Sequence, residues 1–312
     1  MQKRNGLADN SFMQSDRRNA FLALTAAGVI WGLTIPFSKL ALGWLDPLEL
    51  TVARFAVAAP LLAFFATRTN IRAALTWPIA AWGVVFYGGG VALQNAGVAI
   101  TSVTHAALIL AAVPVLVALM AAARGRSSSS PQAWVGFVVA IGGVGLVAGS
   151  GGGSSPAGDA LMVASAIAAA AYVLAQPRLL DGRDPIAVTV VQMAAGAVAT
   201  LPFAAVVDGV PSLPPAGPAL WGFLGLAVVG SLLPFALYAY GQARVVPEVA
   251  GAFVNLEPLV GAAFGAFMFG DPFGSAQVAG AVALVVGVGL SVLPSPRRRA
   301  MPPRRDAPAP CS

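Results

Sequence analysis

Long apolar runs, interrupted at short intervals by turn residues, set the pattern of this chain. A membrane-crossing helix needs about 20 mostly apolar residues. Ten segments meet that requirement: 20–40, 47–67, 78–99, 102–123, 132–149, 157–177, 185–206, 218–240, 246–269 and 273–293. Between them lie Asp46-Pro47, Ser127 to Pro131, Ser150 to Pro156, Asp184-Pro185, Pro211 to Pro218 and Gly270-Asp271-Pro272. No connection is long enough to hold a separate soluble domain.

The pattern repeats. An offset of 144 carries Pro114 onto Pro258, Gly136 onto Gly280, Gly143 onto Gly287, Gly145 onto Gly289 and Leu146 onto Leu290. Offsets of 138, 139 and 141 carry Asp46-Pro47 onto Asp184-Pro185, Trp82-Gly83 onto Trp221-Gly222 and Pro36 onto Pro177. Such self-similarity marks a duplicated unit. A unit of five helices is odd, so its second copy must enter the membrane upside down, a construction that recurs in transporters. The expected fold is therefore all-α and membrane-integral: ten transmembrane helices as two inverted five-helix repeats. The first repeat takes residues 20–149 and the second 150–293. Residues 1–19 form an N-terminal tail, and 294–312 a basic, proline-rich tail expected to be disordered.

Composition agrees with a bilayer as solvent. The chain is 58% hydrophobic and 10% charged, too few charges to clothe a water-soluble globule. The net charge of +6 is not a nucleic-acid stripe, because the basic residues punctuate apolar spans. With the N-terminus in the cytoplasm, the inner side receives Lys3, Arg4, Arg17, Arg18, Arg68, Arg72, Arg124, Arg126, Arg178, Arg183, Arg244 and the five C-terminal arginines. The outer connections receive none, and Lys39 and Arg54 fall within spans. The positive-inside rule then predicts both termini in the cytoplasm of an inner (plasma) membrane protein. The first apolar span is read as a retained helix, not a cleaved signal.

Enzyme chemistry finds little to work with. One histidine and one cysteine, Cys311, cannot build a His/Cys metal site. No Gly-x-x-x-x-Gly-Lys-Ser/Thr loop is present to bind ATP. No cofactor is expected and no enzyme activity is assigned. Cys311 stands second from the end, where a prenylation box would place it fourth.

Charges inside a membrane are costly and need a partner or a wet cavity. Arg54 lies within the second span and Glu257 near the middle of the ninth. They are read either as a structural pair or as groups jointly facing a central cavity. Lys39 ends the first span, where snorkelling to the interface is the plain alternative to a functional role; Glu49 is read as a helix cap. Glu248 lies four residues beyond Arg244, and Asn255 seven beyond Glu248, so these share a helix face. Glu257 lies half a turn away, so the two acids do not share a cavity unless Pro258 distorts the helix. His105 is a possible pH-responsive group or an incidental interfacial one. Protons, if coupled, would bind Glu257, Glu248 or His105. Neutral polar residues complete the candidate lining: Trp31, Thr34 and Ser38; Tyr87, Gln94 and Asn95; Tyr238 and Gln242; Asn255; and Gln192, which stands where Arg54 stands in the first half. These side chains either line a cavity or bond helix to helix. Pro114 and Pro258 each remove a backbone bond, permitting hinges or static kinks.

The order of Trp31-Gly32, Pro36 and Lys39, then Arg54-Phe55, then Leu256-Glu257-Pro258, Gly270-Asp271 and the Gly280 to Leu290 helix resembles the EamA-type transporters of the drug/metabolite transporter superfamily. The resemblance covers residues 20–293. Two departures are Asp271, where that family more often has Glu, and Ala112-Val113-Pro114, which lacks an acid matching Glu257. The resemblance implies a secondary transporter working by alternating access on a proton or substrate gradient, and makes Lys39 a gate candidate. The polar lining suits amino acids or related metabolites, most simply their export. Exchange or import of another metabolite, such as a nucleotide-linked sugar or a cofactor precursor, is the neighbouring alternative. A membrane-embedded enzyme or non-transporting receptor is the more distant one. The expected partners are a small-molecule substrate, membrane lipid and protons, with the protein a monomer or dimer and no nucleic acid bound.

Overall fold

The computed structural model describes residues 3–65, 70–125, 131–148, 155–242, 253 and 256–292. Among the described residues every regular segment is helical. Ten apolar helices follow in order among the described residues: Arg18–Ala41, Pro47–Phe64, Trp77–Ile100, Val103–Ala123, Trp134–Val147, Pro156–Leu180, Pro185–Val207, Pro218–Val229, Leu256–Met268 and Ser275–Gly287; six are long enough to cross a membrane, and the fifth, eighth, ninth and tenth are shorter. They are called spans 1 to 10. Span 8 continues as the helix Leu233–Gln242. One helix runs from Lys3 to Gly32. The tail 294–312, Arg244, Glu248 and Asn255 lie outside the described residues.

The first and fourth spans each break just upstream of a proline, whereas Pro60, Pro177 and Pro202 lie inside continuous helices. A proline ring collides with the carbonyl four residues earlier. Four residues before Pro36 is Gly32, where the first helix ends before a second begins at Thr34. Four residues before Pro114 is Leu110, where Val103–Leu110 ends before Val113–Ala123 begins. Span 4, expected as one helix, is therefore two. Pro258 is the third residue of Leu256–Met268.

The two halves interlock about a pseudo-twofold. Span 5 packs on 10, span 2 on 7 and span 4 on 9; span 1 packs on 8 as span 6 packs on 3. Glycines show the symmetry atom by atom. A side chain at Gly143 would strike the carbonyl of Gly280, and one at Gly287 would strike that of Gly136. The 144 offset exchanges these two contacts. Gly145 and Gly289, also related by 144, both face open space.

The sequence does not reveal one symmetric feature. Span 3 passes through a π-helical stretch, Val84–Gly90, and span 8 through another, Gly225–Val229. Each begins shortly after its Trp-Gly pair, Trp82-Gly83 or Trp221-Gly222. In such a stretch the N–H bonds five residues back, as Gly230 N does to the Gly225 carbonyl at 2.8 Å. This leaves carbonyls and side chains out of α-helical register in matching places of the two halves.

Candidate functional site

Arg54 is buried in span 2, with 8% of its surface exposed. Its Nε donates to Ser231 Oγ at 2.8 Å, and Ser231 Oγ donates in turn to the Leu226 carbonyl at 2.9 Å, inside the π stretch of span 8. The guanidinium lies 5.1 Å from the Phe55 ring centroid, and that ring meets Tyr87 edge-on at 5.1 Å. Neither Nη of Arg54 bonds a described residue. Glu257 is half-buried near the start of span 9, and it does not reach ion-pair distance of Arg54. The direct pair is therefore not formed. Backbone packing places Glu257 beside the break in span 1, since a side chain at Gly32 would strike the Glu257 carbonyl.

Gln192, the counterpart of Arg54 in the second half, is fully buried and makes a different network. Its Oε1 accepts from Tyr172 Oη at 2.9 Å and from Gln176 Nε2 at 3.2 Å, and Tyr172 Oη reaches Tyr87 Oη at 3.2 Å. Phe86 stacks on Tyr172 with centroids 4.2 Å apart. Gly83 and Gly196 allow spans 3 and 7 to touch backbone to backbone here, which only small residues permit. Spans 3, 6 and 7 thus meet at one polar knot.

Asn95 and Ser38 leave buried valences open. Thr51 spends its only hydroxyl proton on the Pro47 carbonyl, at 2.8 Å, so it accepts from Asn95 Nδ2 at 2.9 Å. That fixes the amide and leaves Asn95 Oδ1 without a protein partner, as is Ser38 Oγ. Buried polar atoms without partners are rare in folded proteins. Trp31 and Tyr238 join spans 1 and 8 with ring centroids 5.2 Å apart, while Thr34 Oγ1 donates back across the break in span 1 to the Trp31 carbonyl, 2.7 Å away. Gln94 is half-buried on span 3, and Gln242 closes the helix Leu233–Gln242.

A second polar group gathers at the far end of spans 1 and 3. Lys39 Nζ donates to the carbonyls of Val98, Ala99 and Thr101 at 2.7, 3.2 and 2.9 Å. Its charge there opposes the C-terminal dipole of the helix Val91–Ile100. Thr101 Oγ1 donates to Asp159 Oδ1 at 2.6 Å, and His105 Nδ1 lies 3.3 Å from Asp159 Oδ2. Asp271 Oδ2 accepts from the backbone N–H of Thr104 at 2.7 Å. The tight join of spans 3 and 4 is thus held from span 1, span 6 and the connection between spans 9 and 10. Glu49 closes a capping box by accepting from Asp46 N at 3.1 Å. Asp208, at the end of span 7, accepts from Leu48 N and Glu49 N, each at 3.0 Å.

Asp159, Asp271 and Ser231 were not among the expected site residues. An acid inside an apolar span was signal enough for Asp159. Asp271 had a signal too, as the departure from the Glu of the resembling family. Nothing in the sequence marks Ser231, because its role depends on the π stretch.

The model of the EamA-like transporter family matches this chain twice, over residues 18–149 and 156–293. The chain belongs to that family. The two matched copies flank the connection between spans 5 and 6, the join of the two halves. YdeK of Bacillus subtilis (strain 168), an uncharacterized transporter, is 36% identical over 150 residues, 45% of this chain. That match spans 50% of YdeK. Two uncharacterized transporters of Archaeoglobus fulgidus are each 24% identical, over 86% and 89% of this chain and 95% and 98% of their own. A crystal structure with 18% identity superposes at a TM-score of 0.63, covering 87% of this chain and 96% of that one, and shares the fold. This EamA-like transporter is thus an integral membrane protein of ten helices in two inverted repeats.

Proposed function

We propose that this EamA-like transporter exports zwitterionic amino acids or closely related metabolites by alternating access, with both termini cytoplasmic in the inner (plasma) membrane. The observation carrying the reading is the separated charge pair of Arg54 and Glu257. They stand on spans 2 and 9, one from each half, both within apolar helices, and are not joined as an ion pair. A zwitterion fits between two such charges. Its carboxylate takes the Nη edge of Arg54, which bonds no described residue, in a geometry guanidinium favours, and its ammonium takes Glu257.

The same arrangement gives a coupling rule. A proton on Glu257 removes the anion that holds the ammonium, so proton and substrate compete for one group. Competition of that kind is what a proton/substrate antiporter requires, and an inward proton gradient then drives export. The orientation rests on the distribution of Lys and Arg between alternate connections. His105, paired to Asp159 at the opposite end of spans 1 and 3, is read as part of a gate and not as the coupling site.

The test is flux in proteoliposomes loaded with a panel of amino acids, their methyl esters and their deaminated acids. The zwitterions are expected to saturate the carrier, and both truncated series to bind at least 10-fold more weakly, the worth of one charge-assisted bond at about 1.5–3 kcal/mol. R54Q is expected to raise KM about 10–100-fold by the same magnitude. E257Q is expected to raise KM by a similar factor, keep exchange at saturating substrate and lose its acceleration by a proton gradient. Wild-type flux that is equal for zwitterions and esters would sink the proposal. Uptake down a proton gradient, or obligatory exchange alone, would reassign its direction.

A further inference from the structure

At the end of the bundle opposite Lys39 and Asp159, a cavity of about 530 Å³ opens between spans 3, 4 and 6. Its lining includes Arg124, Arg178 and Arg183, contributed by the end of span 4, the end of span 6 and the connection to span 7. Among the described residues no acid lines it, and much of its wall is apolar, formed in part by Trp82, Leu174 and Ile79. Arg183 Nη1 touches only carbonyls, those of Leu179 at 3.3 Å and Asp181 at 3.4 Å. The nearby Asp184 carboxylate is committed to capping Ile186 N and Ala187 N at 2.8 and 3.0 Å. Three like charges around one cavity, with no described carboxylate answering them, repel one another until an anion joins them.

We propose that this cavity is a binding site for a phosphate-bearing anion, separate from the Arg54–Glu257 centre. Guanidinium groups from three segments can surround a tetrahedral phosphate with forked hydrogen bonds. The apolar wall beneath them suits an attached glycerol and acyl chain, and basic pockets between membrane helices on the cytoplasmic side hold anionic headgroups. The cavity volume lies within the range of small-molecule sites, roughly 300–1,000 Å³. A phosphate-bearing anion bridging span 6 to spans 3 and 4 ties the first repeat to the second.

The experiment uses the full chain in neutral detergent and reads its melting temperature and, by native mass spectrometry, its bound adducts. Phosphatidylglycerol, phosphatidylcholine and inorganic phosphate are added separately to the wild type, to R124Q/R178Q and to R72Q, whose arginine lies outside the cavity. The wild type and R72Q are expected to melt higher with phosphatidylglycerol or with inorganic phosphate, and not with phosphatidylcholine. In R124Q/R178Q, whose melting point without additive is unchanged, the bound adduct is expected to fall about 10-fold or more. A response to phosphatidylglycerol alone names a lipid headgroup as the source; a response to inorganic phosphate names a soluble anion. No response to either, or one that R124Q/R178Q retains, overturns the site. This outcome is independent of amino-acid flux, so the two proposals fail separately.

Discussion

Single polar side chains do the joining in this bundle, and their partners are mostly backbone. Lys39 uses all three of its N–H groups on helix-end carbonyls. K39M would leave those carbonyls uncapped, and the loss of one buried charge-assisted cap is expected to cost about 1.5–3 kcal/mol. K39R, with more donors in a fixed plane, is expected to recover only part of it. Asp159 answers both Thr101 and His105. D159A would orphan two buried groups, each costing about 1–3 kcal/mol. D159N keeps an acceptor for Thr101 and is expected to lose less. Thermal melting of the purified variants in detergent checks the order: wild type above D159N, above D159A. If D159A melts with the wild type, the join of spans 3 and 4 is held by something else. Sequence could nominate Arg54, Lys39 and Glu257, because a charge in an apolar run is conspicuous. It could not say what each would touch. Lys39 reaches Val98, Ala99 and Thr101 across some sixty positions of chain, and nothing local encodes that reach.

At the scale of the helix, glycine position is decisive. Spans 5 and 10 meet through Gly143 against Gly280 and Gly136 against Gly287, where a Cβ would collide with backbone. G280L or G143V is expected to lose about 1–3 kcal/mol through overpacking, read as a lower melting point or lower expression. G145A and G289A face open space and are expected to be neutral or slightly stabilising, since alanine favours helix by about 0.8–1.0 kcal/mol over glycine. Equal damage at Gly145 and Gly143 would contradict the face assigned to these helices. The helix breaks were half-legible. Pro114 reads as a hinge or kink in the sequence and Pro36 does not, yet each has a helix end four residues upstream, at Leu110 and Gly32. The π stretches were not legible at all, because they arise from how spans 3 and 8 settle against spans 2 and 7. Ser231, which joins Arg54 to Leu226, exists as a site only because of one of them. S231A is expected to leave expression intact and raise KM several-fold by freeing Arg54, as saturation curves in proteoliposomes would register.

For the whole molecule, apolar length, an odd repeat unit and alternating basic connections were enough to predict ten helices in two inverted halves. Those signals survive because the bilayer fixes helix length and a five-helix unit can only duplicate inverted. Cargo is carried by a handful of side chains whose distances depend on the packed bundle. That is why the charge separation between Arg54 and Glu257 emerges only from the fold. The chemistry of the two halves is unequal at matching places, Arg54 with Ser231 in one and Gln192 with Tyr172 and Gln176 in the other. A symmetric scaffold with an asymmetric lining is what a directional carrier of an asymmetric solute requires. The most direct measurement is efflux of labelled amino acid from proteoliposomes under an imposed proton gradient, comparing wild type, R54Q and E257Q. Saturable wild-type efflux accelerated by the gradient, with KM raised in R54Q and acceleration absent in E257Q, is the predicted result. Efflux no faster than from protein-free vesicles, or a gradient response intact in E257Q, would contradict it.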